Sequence, residues 1–284
     1  RFAAGTLLAG GDVVIQRHFD AATASRALVE HRPTTTFFAP AHLQRLVAHG
    51  GLPGSSSLRL VAHAGSACPP PLKHAAIDAF GADVVWEFYG STEGQFTACS
   101  SREWLERPGT VGRARPGRHL ATDPDGTIWC EVPTHARFEY WRDPERTAAA
   151  WRPARPGRHA HGAFTVGDLG RLDADGYLFI DGRRDDLVIT GGVNVYPAEV
   201  EAVLAAVPGV DEVAVFGRDD ERWGQRVCAA YTGGAAPEDL HAAARAHLAP
   251  YKRPKEVAAV GELPRTATGK VQRLRLPDLV APPA

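Results

Sequence analysis

The 284-residue chain has no methionine, and only four of its 32 basic residues, Lys73, Lys252, Lys255 and Lys270, are lysines. Even the first position lacks methionine: Arg1 runs directly into apolar sequence, which leads us to expect a piece of something longer. Cys68, Cys99, Cys130 and Cys228 lie far apart with no CxxC pair, excluding a zinc ribbon, a dithiol redox motif and a dense disulfide framework. Buried free thiols are expected instead. His159 and His161 form the only close histidine pair, and without carboxylate or thiol ligands at metal spacing they read as solvated loop residues. No apolar run approaches the roughly 20 residues of a membrane span, and no signal-peptide order opens the chain, so a cytoplasmic location is expected. The net charge of -1 is spread over interspersed acids and bases, leaving no broad basic face for nucleic acid or anionic membrane. There is no GxSxG nucleophile elbow. The stretch GRARPGRH, Gly112 to His119, has the glycine spacing of a phosphate-binding P-loop but carries Arg118 and His119 where Lys and Ser/Thr belong, so it reads as a loop.

What is present is an alternation. A β-rich run from Val13 to Gln16, a helical stretch from Ala21 to His31, a second β-rich run from Thr34 to Phe38 and a helix from Ala41 to Ala48 predict parallel strands with crossover helices. The unit continues with a strand at Leu58 to Ala62, a helix at Pro70 to Phe80 and a strand at Asp83 to Phe88. Between Gly109 and Ile180 turn signals crowd, and short strands such as Gly126 to Val132 and Gly176 to Ile180 predict a small β subdomain. After Arg183 a helix from Pro197, strands at Val210 to Phe216 and Arg226 to Tyr231, a helix at Pro237 to Leu248 and a strand at Lys255 to Val260 predict a compact α+β domain. The expected class is α/β: a partial large domain, residues 1–184, followed by a small α+β domain, residues 185–284.

Chemistry concentrates in EFYGSTEG, Glu87 to Gly94. A nucleotide with metal-bridged phosphates needs a stacking surface, hydroxyl donors and a hard oxygen ligand. Tyr89, Thr92 and Glu93 supply these, and Gly90 admits close approach. Alone, the same residues are also a plain strand-to-turn exit.

Three further stretches stand in order with it: GSACPPPL from Gly65, TVGDLGRLDADGYLFIDGRRDDLVITGGVNVYPAEVE from Thr165, and PRTATGK ending at Lys270. Together they resemble the later motifs of the adenylate-forming superfamily, which includes acyl-CoA synthetases, peptide-synthetase adenylation domains and luciferases. The resemblance covers nearly the whole chain. It implies that Gly65, Ser66 and Ala67 lie along adenine, that Tyr89 stacks on it, that Thr92 contacts phosphate and that Glu93 binds Mg²⁺. It further implies Asp168 on the ribose hydroxyls, Arg183 on ribose and phosphate, Asp185 as the hinge of a mobile C-terminal lid, and Gly191 and Gly192 as a loop admitting pantetheine. Lys270 would carry the catalytic charge, and its presence runs against a composition that otherwise uses arginine.

The resemblance implies ATP-dependent activation of a small-molecule carboxylic acid through an acyl-adenylate, then thioester formation with coenzyme A or with a carrier-protein phosphopantetheine. The superfamily's Ser/Thr/Gly-rich phosphate loop ending in Pro-Lys-Gly has no counterpart in these residues. We therefore expect activity to need a missing N-terminal segment, attached or as a separate chain. The alternatives are a degenerate, non-catalytic fragment that binds AMP or a partner, and an adenylation enzyme loading a carrier protein. Phe38, Ala39 and Phe96 point to an apolar acid, although a packed core would use the same residues.

Overall fold

The computed structural model describes residues 2–52, 57–153, 162–266 and 271–280. His159, His161 and Lys270 lie outside them. The elements run α1 Phe2–Leu8, α2 Ala21–Glu30, β1 Thr35–Phe38, α3 Pro40–Gly50, β2 Leu60–His63, α4 Pro70–Phe80, β3 Val85–Gly90, β4 Gln95–Ser100, α5 Ser101–Glu106 and β5 Thr110–Ala114. There follow β6 His119–Thr122, β7 Ile128–Val132, α6 Pro144–Ala150, β8 Trp151–Arg152, β9 Gly162–Phe164, β10 Asp168–Leu172 and β11 Tyr177–Arg183. The last group is β12 Val188–Thr190, β13 Val193–Val195, α7 Pro197–Leu204, β14 Val210–Asp220, β15 Gly224–Gly233, α8 Pro237–His247, β16 Glu256–Ala259 and α9 Leu276–Leu279. The fold is α/β, and its strands and helices form two compact units.

The first unit comprises residues 1–121, 130–164 and 172–179. Its main sheet runs β1-β2-β3-β4-β5 and then the first residues of β11. β1, β2 and β3 are parallel, with Phe38 opposite His63 and His63 opposite Glu87. The remaining pairings, β3 to β4, β4 to β5 and β5 to β11, are antiparallel, so the sheet is mixed rather than parallel throughout. The parallel part is joined by α3 and α4, each with proline in its first turn, where a missing N–H costs nothing. Their apolar faces close over Leu28, Phe38, Leu43, Leu46, Val61 and Phe80. A smaller sheet of order β6-β7-β9-β8 takes up the strand expected at Gly126 to Val132, whereas the strand expected at Gly176 to Ile180 is the start of β11 and pairs with β5 in the main sheet.

The β-rich run Val13 to Gln16 is not a strand. Val14 and Ile15 are exposed, and no described strand pairs with that segment. Strand preference measures how well a side chain packs on a pleated neighbour, and here there is none.

Gly112 sits on β5 with φ +93°, and a Cβ there would stand 2.1 Å from the Ala98 carbonyl oxygen on β4. The clash is with backbone, which cannot step aside. Gly112→Ala is expected to lower stability by about 2 kcal/mol, combining overpacking with left-handed strain. Urea denaturation followed by fluorescence would measure it.

The second unit comprises residues 122–129, 165–171 and 180–284. β11 continues into it, beside β10. Its sheet runs β13-β12-β15-β14, with β16 added parallel to β15. The long hairpin β14–β15 keeps register from Glu212–Thr232 to Asp220–Gly224, so one face stays apolar. α7 and α8 cover that face, burying Val200, Leu204, Val215, Tyr231 and Leu240. Among the described residues no helix is long and apolar enough to cross a membrane.

Candidate active site

Parallel pairing gives β1, β2 and β3 a common C-terminal edge, the place where open α/β sheets put their ligands. Two of the predicted stretches emerge there. Gly65, Ser66 and Ala67 leave β2 as an exposed loop, Gly65 at φ +102°. Tyr89 and Gly90 belong to β3 itself, which begins and ends two residues later than the sequence predicts. Ser91 to Gly94 then form the tight turn into β4, closed by the Ser91 N–H donating to the Gly94 carbonyl at 2.8 Å. At Gly90 a Cβ would lie 2.6 Å from both Gln95 Cα and the Gly94 carbonyl oxygen, so only glycine permits this reversal. The Tyr89 ring leans on Phe96 at 5.0 Å between centroids, and Phe96 in turn on Phe164 at 5.1 Å. This stack holds the Tyr89 ring half-exposed on the edge, and Thr92 stands exposed at the tip of the turn.

Glu93 is half-buried, and the Tyr140 hydroxyl donates to its Oε1 at 2.8 Å. Burial pushes the carboxyl up, but its own backbone N–H, Tyr140 and the Arg146 charge outweigh that and hold it below the usual carboxylate range. Arg146 lies over the Tyr140 ring at 4.1 Å. Tyr140 is 47 residues from Glu93 in sequence, and no local signal pairs them. Because the folded-state value is depressed, Glu93 is charged at neutral pH and loses its charge only as pH falls through that lowered value. Tyr140→Phe is expected to move the Glu93 midpoint upward, read by NMR titration of the side-chain carboxyl; an unmoved midpoint would show that the hydroxyl contributes nothing.

A single charged carboxylate suits Mg²⁺, which keeps its waters and takes one or two carboxylates plus phosphate oxygens. Among the described residues no group of three or more His, Cys, Asp or Glu forms a protein cage. Glu93, a hard oxygen kept ionised at an open turn, fits the ion on those terms.

The second unit holds the other predicted residues. Asp168 opens β10 and is buried, at 6% exposure, and it accepts from Arg183 Nε at 3.1 Å. Arg183 ends β11, and its side chain is about half exposed. The chain reverses beside this pair, the Arg184 N–H donating to the Gly167 carbonyl at 2.8 Å. Arg184 Nη2 also reaches Asp125 Oδ2 at 2.8 Å and the Thr127 hydroxyl, holding Asp125 well below the carboxylate range. Asp185 is exposed in the single turn of 3₁₀ helix from Arg184 to Asp186. Gly191 and Gly192, at φ +58° and +78°, make the two-residue turn between β12 and β13, a reversal that needs positive φ at both positions. Both are exposed, and Trp223 flanks Gly191 so closely that a Cβ would lie 3.1 Å from its ring.

The structure thus gathers Gly65, Ser66, Ala67, Tyr89, Gly90, Thr92 and Glu93 at one sheet edge, and pairs Asp168 with Arg183 next to Asp185. The free thiols are placed as expected: Cys99, Cys130 and Cys228 are buried and Cys68 partly so.

Residues 2–127 match the family model described as AMP-binding enzyme, and residues 199–270 match the AMP-binding enzyme C-terminal domain. The chain is 34% identical over 297 residues to the indoleacetate–CoA ligase of Aromatoleum aromaticum, aligning 97% of itself with 55% of that protein. In structure it is similar to the amide bond synthetase McbA from Marinactinospora thermotolerans, with TM-score 0.84 and 33% identity over 98% of this chain and 58% of the other. It is also similar to the o-succinylbenzoate CoA synthetase MenE of Bacillus subtilis in complex with its acyl-adenylate intermediate, with TM-score 0.82 and 26% identity over 95% of this chain and 56% of that one. The chain therefore spans little more than half the length of each of these relatives.

Proposed function

Because the chain belongs to the adenylate-forming superfamily of AMP-binding enzymes, we propose that it serves the ATP-dependent activation of a small carboxylic acid and its transfer to the thiol of coenzyme A. The observation that carries this reading is the common edge of β2 and β3, where the Gly65–Ala67 loop and the Tyr89–Glu93 segment emerge side by side. An exposed glycine loop beside a braced aromatic ring offers two walls for a planar base. Asp168, a buried carboxylate with two acceptor oxygens, suits the two ribose hydroxyls, and the Arg183 fork beside it suits ribose and phosphate oxygens.

In the first step a substrate carboxylate oxygen attacks the α-phosphorus of ATP, the bond to the β-phosphate breaks, and pyrophosphate leaves. Mg²⁺ bound at Glu93 would supply positive charge to the phosphate oxygens. Thr92 donates to phosphate, and Lys270 brings a compact ammonium to the charge that develops as the bond changes. In the second step the thiol sulfur attacks the acyl carbon, the thiol proton passes to solvent, and AMP leaves. Asp185 is the pivot about which residues 185–284 reorient between steps, and the side-chain-free turn Gly191-Gly192 leaves room for a pantetheine arm.

The grip on the β- and γ-phosphates comes from elsewhere, since these residues hold no Ser/Thr/Gly-rich stretch ending in Pro-Lys-Gly. Exposed Leu8, Val14 and Ile15, and the outer edge of β1, which no strand among the described residues pairs, support a covering segment that carries that loop. Mass detection of acyl-adenylate and acyl-CoA over a panel of acids, with and without such a segment, tests the reading. Products are expected only with the segment present. Robust adenylate formation by the 284 residues alone would refute the dependence, and AMP binding without product under either condition would favour a non-catalytic binder.

A further inference from the structure

Lys73 is fully buried in the first turn of α4, and none of the chemistry above uses it. Its Nζ lies 2.5 Å from His63 Nε2 and 3.2 Å from Glu87 Oε2, with both partners buried as well. A buried ammonium in the first turn of a helix faces the positive end of the helix dipole and has lost its water, so core packing alone would favour leucine or methionine there. Ion pairs of this kind add little to stability over a well-packed apolar replacement.

The three residues span the elements that carry the nucleotide loop. His63 and Glu87 are register partners on β2 and β3, so their side chains share one face of the sheet. Tyr89 follows Glu87 by two positions and projects to that same face. The Gly65–Ala67 loop begins two residues past His63 and runs into the helix that carries Lys73. Cys68, the residue after the loop, is partly buried, and its thiol is pushed up to about 12 by burial and then by the Glu87 charge.

An ammonium only donates, so His63 Nε2 accepts and the proton sits on Nδ1. Nδ1 is buried and has no hydrogen-bond partner among the described residues. A group of three polar side chains that leaves one donor unsatisfied is poorly explained as stabilisation.

We propose that Lys73, with Glu87 and His63, is a positioning cluster that fixes the gap between the Gly65–Ala67 loop and the Tyr89 ring, and so sets the chain's affinity for the adenine ring. Lys73 acts through the two walls and does not touch the nucleotide. The inference rests on the nucleotide reading given above.

The test compares AMP with ribose 5-phosphate, which lacks the base, by calorimetry or by competition against a fluorescent AMP analogue. Lys73→Met/Glu87→Gln removes both charges together and leaves no unpaired ion. Lys73→Arg keeps the charge but replaces the compact ammonium with a wider planar fork. Each is expected to weaken AMP about tenfold, roughly 1.4 kcal/mol, while leaving ribose 5-phosphate unchanged and thermal unfolding cooperative. A merely structural role would lower the two affinities in proportion or not at all. A wild-type preference for AMP that the variants retain within about twofold overturns this inference alone. A wild-type chain that shows no adenine-dependent affinity overturns the nucleotide reading and this inference with it.

Discussion

Lys270→Ala is expected to lower acyl-adenylate formation by about two to three orders of magnitude, the usual loss when one preorganised donor to a developing charge is removed. The sequence carries the case for this residue. Lysine is rare here, with four against 28 arginines among the 32 basic residues, yet it closes PRTATGK in order with three other stretches that resemble the superfamily's motifs. The charge on the reacting oxygens shifts while the phosphorus–oxygen bonds exchange, and a compact ammonium suits that shift better than a planar fork. An interaction made mainly in the transition state lowers kcat and kcat/KM together and leaves ground-state affinity nearly intact. AMP affinity should therefore change little. Thioester formation from a supplied acyl-adenylate should fall much less than the first step. Single-turnover measurements of the two half-reactions, with the phosphate-loop segment present, make the comparison. Equal losses in both would remove Lys270 from the role assigned to it.

Arg273→Ala should produce the largest loss of stability, about 3 kcal/mol, toward the lower end for a broken buried ion pair. Arg273 Nη2 donates to both carboxylate oxygens of Glu201 at 2.8 and 3.0 Å, Nη1 to Asp186 Oδ2 at 3.1 Å and Nε to the Val215 carbonyl at 3.2 Å. Glu201 also accepts from the Val215 N–H at 2.8 Å, so one guanidinium closes a network joining α7, β14 and the turn that carries Asp185. The partners are about a fifth to a quarter exposed, and screening by solvent sets the figure below that of a fully buried triad. Lys cannot replace the fork, so Arg273→Lys should recover less than half of the loss. Differential scanning calorimetry of the single variants and of Arg273→Ala/Glu201→Gln would give the coupling energy. A value near zero would mean that the network is incidental.

Elements with a strong local signal are where the sequence predicts them. α4 runs from Pro70 to Phe80, with proline in its first turn and Gly81 at φ +96° ending it. One legible signal goes unread in the pattern of apolar residues. Ser100 and Glu103 form a reciprocal capping box, with Ser100 N–H to Glu103 Oε2 at 2.8 Å, and it starts α5, a helix too short for periodicity to reveal. The run Val13 to Gln16 shows the opposite case, a strand signal with no neighbour to complete it. Neither its residues nor their spacing could foretell that.

The antiparallel half of the main sheet was equally hidden, because the Ser91–Gly94 turn reads as a ligand loop and as a hairpin with the same letters. Pairing direction depends on which strand arrives next, here β4, which local sequence does not encode.

The sequence by itself determined the superfamily and the order of its motifs, and it singled out Tyr89, Glu93, Asp168 and Arg183 because the proposed grip on phosphate and ribose calls for those residue types. Only the tertiary structure decided that the Tyr140 hydroxyl would donate to Glu93, that Arg273 would tie Asp186 to α7, and that Lys73 would be buried against His63 and Glu87. Those contacts join residues far apart in the chain, and the charge and hydration they impose depend on what folding packs around each group.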